Sequence, residues 1–287
     1  MRFETPILRT RIRRFALPEL PEVETTRRGV CSHIINKQVT EVIIRQNKLR
    51  WEVSSSLPKN LIGNVIHDVG RRGKYLLFES TTGTMLIHLG MSGSLRIIKT
   101  TEPPGKHDHV DLVFENGSAL RYTDPRRFGC ILWQKKEKGI HPLLQNLGPE
   151  PLSENFHYLY LYKKSRGRAG LIKTFIMDSK VVVGVGNIYA NEALFLAGIS
   201  PKRAAGNISK ARYENLVLAI RKVLERAIKA GGTTLRDFTN SSGEPGYFKQ
   251  SLNVYGRGGG ECRICKASLK EIRVSQRSTV YCPSCQH

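Results

Sequence analysis

The feature that most constrains this chain lies at its end, where Cys262-x2-Cys265 and Cys282-x2-Cys285 are separated by sixteen residues. Each pair can set two thiolates on one tight turn, and a hairpin between the pairs can bring all four into a tetrahedron. That spacing is the signature of zinc, expected here as one Zn2+ per chain. A closed four-thiolate site leaves no open position for a substrate, so the metal is expected to be structural. The bland alternative, four reduced cysteines with no metal, fits poorly with so polar a tail. Cys31 and Cys130 stand elsewhere and read as ordinary thiols. The N-terminus lacks the apolar core of a secretory signal, so a disulfide framework is not expected.

Charge narrows the partners. The chain of 287 residues carries a formal net charge of +22. Arg2, Arg9, Arg11, Arg13 and Arg14 against Glu4 give the first seventeen residues +4 of this, leaving +18 on the body. Nucleic acid is the leading partner for such a balance; a ribosomal or acidic-membrane surface is the weaker alternative. No apolar run is long enough to span a membrane. The Arg-rich leader is compatible with an organelle transit peptide, although it is short for one.

The pattern divides the chain. A short helix is expected from Pro18, with glutamates in its first turns, Arg27 and Arg28 near its end and Gly29 after it. From about Val39 to Trp133 the chain reads as strands: VTEVIIRQ, KYLLFES, TMLIHLG, GSLRIIK, HVDLVFENG and SALRYTD, separated by turns such as RRGK, TTG and ENGS. An antiparallel β-sandwich is the expected outcome. PLLQNLGPEPLS reads as a connection, and helical periodicity begins at Tyr158. NIYANEALFLAG forms one helix ending at Gly198; Ser209 caps a long amphipathic one closed by Gly231-Gly232. TNSSGEPGYF reads as a mobile loop. The expected divisions are 1–17, 18–150, 151–245 and 246–287.

Several stretches carry chemistry. A proline at a chain's first position is a secondary amine, and an α-amine titrates well below a lysine, so more of it is unprotonated and nucleophilic at neutral pH. Pro18 followed by Glu19 is such a nucleophile beside an acid, provided Pro18 begins the mature chain. VVVGVGNIYANE lacks the Gly-Lys-Ser/Thr ending of a phosphate loop. A helix N-terminus whose amides and Asn187 meet a phosphate is one reading, and a tight turn entering a core helix is the other. YTDPRRFG sets arginines beside Phe128, either a polar hairpin or a wedge that unstacks bases. Met91 is core or fills space similarly. Arg273 and Arg277 on the expected zinc hairpin are surface charge or phosphate contacts.

PELPEVET, RRGKYLL, HLGMSGSL, KHDHVDL, YTDPRRFG, VGVGNIYANE, the PGYF loop and the four-cysteine finger occur in this order. Together they resemble the formamidopyrimidine-DNA glycosylase family, over about residues 18–287. The resemblance implies an α+β architecture: an N-terminal β-sandwich domain, a helix–two-turns–helix domain and a zinc-finger hairpin, with duplex DNA in the cleft between them. It also implies a bifunctional glycosylase and lyase acting on 8-oxoguanine and ring-opened purines. By that similarity Pro18 attacks the sugar C1′, Glu19 protonates the opening sugar, and Glu22 is a supporting carboxylate. Lys74 is the donor for β-elimination and Arg277 the donor for δ-elimination. His107, Arg126 and Arg168 contact DNA, while Met91, Arg126 and Phe128 fill the hole left by the flipped nucleotide. Arg168 lies in a stretch of looser similarity.

The extension before Pro18 departs from the family pattern. Translation beginning at position 17 on a TTG or CTG codon, followed by methionine removal, is the favoured reading, because Leu17 stands where methionine is needed. Proteolytic removal of the leader is a second. Retention of the leader in a non-catalytic lesion binder is the third. An endonuclease VIII-like enzyme for oxidised pyrimidines is a further alternative, less consistent with the LPEVET, RRF and PGYF segments. A bacterial-type cytoplasmic or nucleoid location and a monomeric state follow from the resemblance.

Overall fold

The computed structural model describes residues 18–232 and 251–287. The leader and the TNSSGEPGYF segment lie outside the described residues.

The first helix, α1 (Leu20–Ile34), opens on a tight reciprocal geometry in which the backbone N–H of Glu19 donates to Oε2 of Glu22 at 2.9 Å. It does not stop at Gly29 as expected. A glycine inside a helix costs about 1 kcal/mol, but Val30 and Ile34 beyond it are fully buried, and that burial carries the helix on. The α1 helix packs on the N-terminal sheet and also touches the long helix of the second core.

Eight antiparallel strands follow: β1 (Lys37–Ile44), β2 (Val65–Arg72), β3 (Tyr75–Ser80), β4 (Gly83–His88), β5 (Ser94–Lys99), β6 (Asp108–Phe114), β7 (Ser118–Thr123) and β8 (Cys130–Lys135). Their order is β5-β7-β6-β1-β2-β3-β4-β8. The sheet folds over at β1, whose first residues pair with β2 and whose later ones pair with β6, with a register shift between Val39 and Glu41. Such an irregularity bends a strand, which lets two faces close into a sandwich. The enclosed core includes Val23, Ile34, Ile66, Phe78, Ile87, Leu112 and Leu120. Strands β2 and β8 were not among the expected strands; in β2, His67, Asp68, Arg71 and Arg72 interrupt the apolar pattern.

Short helices α2 (Leu57–Leu61) and α3 (Pro142–Gln145) decorate loops. The second core gathers α4 (Tyr158–Ser165), α5 (Ile172–Met177), α6 (Asn187–Leu196) and α7 (Lys210–Lys229) around Ile176, Tyr189, Leu194, Tyr213, Leu216 and Leu224. Ser209 Oγ accepts the N–H of Arg212 at the start of α7, and Gly231 and Gly232, both at positive φ, follow its end. The final hairpin joins β9 (Lys270–Val274) to β10 (Arg277–Tyr281) through Ser275 and Gln276, both left-handed. No helix among the described residues is long and apolar enough to cross a membrane.

Candidate active site

The Glu19 side chain is the centre of the site. It is 2 % exposed and sits at the N-terminus of α6, where Oε2 accepts the N–H of Gly186 at 2.7 Å and Oε1 that of Ile188 at 2.9 Å. The glycines of VVVGVGN allow this approach. A Cβ on Gly186 would lie 2.3 Å from Glu19 Cδ, and one on Gly184, at φ +80°, would lie 2.5 Å from Leu20 Cδ1. The free amides of this helix terminus therefore hold a carboxylate of the protein itself, rather than meeting a phosphate as one reading of the sequence had it. Burial pushes the Glu19 carboxyl up to about 7, against the lowering influence of Lys74 and of the two amides.

Glu19 faces a cavity of about 690 Å3 that it shares with Lys74, Met91, Asn187, Tyr255, Arg273, Gln276 and Arg277. Pro18 immediately precedes Glu19 and is buried. Lys74 lies in the β2–β3 turn. Burial lowers its pKa, Glu19 and Glu22 push it back up, and Arg277 adds to the lowering. That turn is fixed from outside: Arg71 reaches Glu24 at 3.0 Å and Glu150 at 2.7 Å, Arg72 reaches Glu150 at 3.0 Å, and the N–H of Gly73 donates to Glu150 at 2.6 Å. A residue of the connecting segment thus clamps the lysine-bearing turn, a contact no sequence motif announced.

Arg277 opens β10 on the far wall. Its strand is tied to the helical core by Lys173, 1 % exposed, whose Nζ donates to Ser278 O at 3.0 Å and Thr279 Oγ1 at 2.6 Å. Burial brings Lys173 down to about 7. Asn187 Nδ2 also donates to Ser278 O, at 3.1 Å, and its Oδ1 is buried with no hydrogen-bond partner among the described residues. Lys173 escaped the sequence reading because a lone lysine in LIKTFIM carries no pattern.

Not every expected residue enters this cavity. Arg126, half-buried, and Phe128, 44 % exposed, lie in the β7–β8 turn, where the guanidinium stacks 4.8 Å from the ring centroid. His107 adjoins that turn, its carbonyl accepting the N–H of Asp124 at 3.0 Å. Arg168 lies in the α4–α5 connection, exposed, donating to Lys164 O at 3.1 Å; it does not line the cavity.

The four tail cysteines converge. Their sulfurs lie within 4.8 Å of one another, with Cys262 and Cys285 at 3.9 Å and Cys265 and Cys282 at 3.4 Å. Zinc–sulfur bonds of ~2.3 Å in a tetrahedron place sulfurs about 3.8 Å apart. The N–H groups of Ile264 and Cys285 point at Cys262 Sγ and Cys282 Sγ, as suits thiolates. The donor set fits a structural zinc, buttressed by Phe195, Val254, Leu269 and Val280.

Three family models match in succession: the formamidopyrimidine-DNA glycosylase N-terminal domain over residues 17–131, the formamidopyrimidine-DNA glycosylase H2TH domain over 147–239, and the zinc finger found in FPG and IleRS over 259–287. The formamidopyrimidine-DNA glycosylase of Cellvibrio japonicus is 58% identical over 270 residues, covering 94% of this chain and 100% of that protein. A Lactococcus lactis Fpg variant in complex with Fapy-dG-containing DNA superimposes with a TM-score of 0.88 at 33% identity, over 94% of this chain and 100% of that one. MutM in complex with carbocyclic 8-oxo-G-containing DNA gives 0.87 at 34%, again over 94% and 100%. A buried acid on a helix terminus, a lysine and an arginine facing it, and a four-thiolate finger behind them all accord with these matches: the chain belongs to the formamidopyrimidine-DNA glycosylase family.

Proposed function

We propose that Pro18, Glu19, Lys74 and Arg277 carry out the reaction of this glycosylase, excision of 8-oxoguanine and formamidopyrimidines from duplex DNA followed by cleavage of the abasic strand. The observation that carries the reading is Glu19, an acid held near neutrality next to Pro18 and facing Lys74 and Arg277 across one cavity. In the active form the chain begins at Pro18, so that its nitrogen is a secondary amine.

The nitrogen of Pro18 attacks C1′, the bond to the base breaks, and the base leaves with that electron pair and takes up a proton. Glu19 gives its proton to the ring oxygen as the sugar opens, and an iminium forms between Pro18 and C1′. Loss of a proton from C2′ then expels the 3′ phosphate, and loss of a second from C4′ expels the 5′ phosphate. Lys74 serves the first elimination and Arg277 the second. Glu22, bonded to the backbone of Glu19, keeps the acid in place. Asn187, His107 and Arg168 contact the DNA backbone. Met91, Arg126 and Phe128 occupy the space vacated by the everted nucleotide. Zinc held by Cys262, Cys265, Cys282 and Cys285 would fix the hairpin that carries Arg277. The enzyme acts as a monomer in the bacterial cytoplasm or nucleoid.

Borohydride trapping on an 8-oxoguanine duplex, with the cross-linked peptide mapped, tests this. A cross-link at an N-terminal Pro18 is expected. Binding without a cross-link, with Ala16 and Leu17 still attached, would replace the enzyme by a lesion binder. Faster trapping on thymine glycol than on 8-oxoguanine would move the substrate class to oxidised pyrimidines.

A further inference from the structure

The residues assigned to the gap left by the everted nucleotide come from two loops. Met91 lies between β4 and β5, and Arg126 and Phe128 lie between β7 and β8. A single fully buried carboxylate, Asp124, joins them. Its Oδ1 accepts the hydroxyl of Ser92, the neighbour of Met91, at 2.6 Å, and the N–H of Arg126 at 3.3 Å. Its Oδ2 accepts the hydroxyl of Tyr122 at 3.0 Å and the N–H of Gly129 at 2.9 Å. Ser92 Oγ in turn accepts the N–H of Arg126 at 3.1 Å. The N–H of Asp124 donates to His107 O, and its carbonyl accepts from His109 Nε2 at 2.8 Å.

The backbones of the two loops meet at glycines. A Cβ on Gly90 would lie 2.4 Å from the amide of Gly129, and one on Gly129 would lie 2.4 Å from the carbonyl of His88 at the end of β4. The two loop backbones are therefore in close contact where Gly90 faces Gly129. Four hydrogen bonds to one buried carboxylate are stronger than their neutral counterparts and strongly directional.

We infer that Asp124 and Ser92 are positioning residues that lock Met91 to Arg126 and Phe128 as one preorganised wedge, and so set how efficiently a stacked lesion is everted. The inference rests on the wedge role proposed above for those three residues. Asp124 and Ser92 act through the loops they join, and neither lines the cavity around Glu19. Their effect belongs to the opening of the duplex, before the chemistry at C1′. An abasic nucleotide has no base to unstack, so its cleavage depends far less on the wedge.

The test uses the active enzyme and its variants Ser92→Ala, Ser92→Thr and Asp124→Asn, with Phe128→Ala as a control on the wedge itself. Single-turnover excision of 8-oxoguanine from a duplex is compared with nicking of a preformed abasic site. Fluorescence of a 2-aminopurine placed next to the lesion reports unstacking. Losing a hydrogen bond to a charged group is expected to slow 8-oxoguanine excision by Ser92→Ala about tenfold. The 2-aminopurine signal weakens in parallel, abasic nicking holds within about twofold, and Ser92→Thr restores most of the loss. An equal fall on both substrates would reduce the cluster to a general stabiliser and overturn the inference. Unchanged excision by Ser92→Ala and by folded Asp124→Asn would overturn it too, leaving the wedge standing if Phe128→Ala still impairs excision. If Phe128→Ala is also without effect, the wedge role fails and takes the inference with it.

Discussion

The hydroxyl of Tyr189 donates to Oε1 of Glu22 at 2.6 Å, joining α6 to α1 across 167 residues of chain. Both side chains are buried, and the other oxygen of Glu22 receives the backbone N–H of Glu19. The acid is thus held by its side chain at one end of α6 and by its backbone through a carboxylate that α6 also grips.

Removing the hydroxyl tests that grip. Tyr189→Phe is expected to lower stability by about 1–2 kcal/mol, the cost of a lost hydrogen bond to a buried charged group. Urea unfolding of the two proteins measures it, and coincident curves would show that the contact contributes nothing net.

Glu19 gives a pH signature. Its carboxyl is raised to about 7 by burial, so the proton proposed above for ring opening is present below that value and lost above it. Pro18 must be unprotonated while Glu19 holds its proton, so single-turnover excision of 8-oxoguanine is expected to follow a bell in pH and fall on its alkaline side, and Glu19→Gln to lose on the order of a hundredfold. A rate still rising steadily up to about pH 9 would assign the proton to another group.

Glu24 predicts acid behaviour of the opposite sign. Burial alone would raise its carboxyl, but hydrogen bonds from Arg27, Arg28 and Arg71 outweigh it and hold the value down to about 2. Its folded value lies below its unfolded one, so its contribution is full above the unfolded range and drains away as pH falls from about 5 towards 2. With Arg28 largely exposed, the contribution is about 2 kcal/mol. The difference in urea midpoint between the parent protein and Glu24→Gln, followed from neutral to acid pH, should shrink over that window.

Metal removal should act at a distance. Cys262, Cys282 and Cys285 form part of the finger's small core, and such modules fold with their metal. Chelation, or Cys282→Ser, is expected to abolish zinc content and DNA binding together, while the β-sandwich and helical cores keep their secondary structure by circular dichroism. DNA affinity that survives complete loss of zinc would separate the finger from binding.

Much of this was legible in advance, for identifiable reasons. Leu76 and Phe78 alternate with more exposed neighbours in β3, and the cysteine spacing encodes its own geometry. Strand β2 was not legible because a register shift between Ile66 and Asp68 breaks the two-residue period as polar residues crowd in. Gly29 misled because local propensity is weaker than the burial of Val30 and Ile34. For the candidate site, the family resemblance pointed to Pro18, Glu19, Lys74 and Arg277, and the last three line one cavity. Glu150, Lys173 and Tyr189 were missed because their work is done on partners 77, 105 and 167 residues away. A contact at such separation leaves no periodic trace.

The seat of Glu19 on Gly186 and Ile188 has a consequence for how this enzyme can be dissected. Those amides belong to the helical core, whereas the acid belongs to the segment that opens the β-sandwich. A fragment ending before Val181 would keep Pro18, Glu19 and Lys74 and lack the helix end and the enclosure that tune the acid. On the roles proposed above, catalytic competence is a property of the assembled pair of cores. The β-sandwich domain expressed alone would carry the proposed reactive residues as an inert set, and reconstitution with the missing half is expected to switch them on.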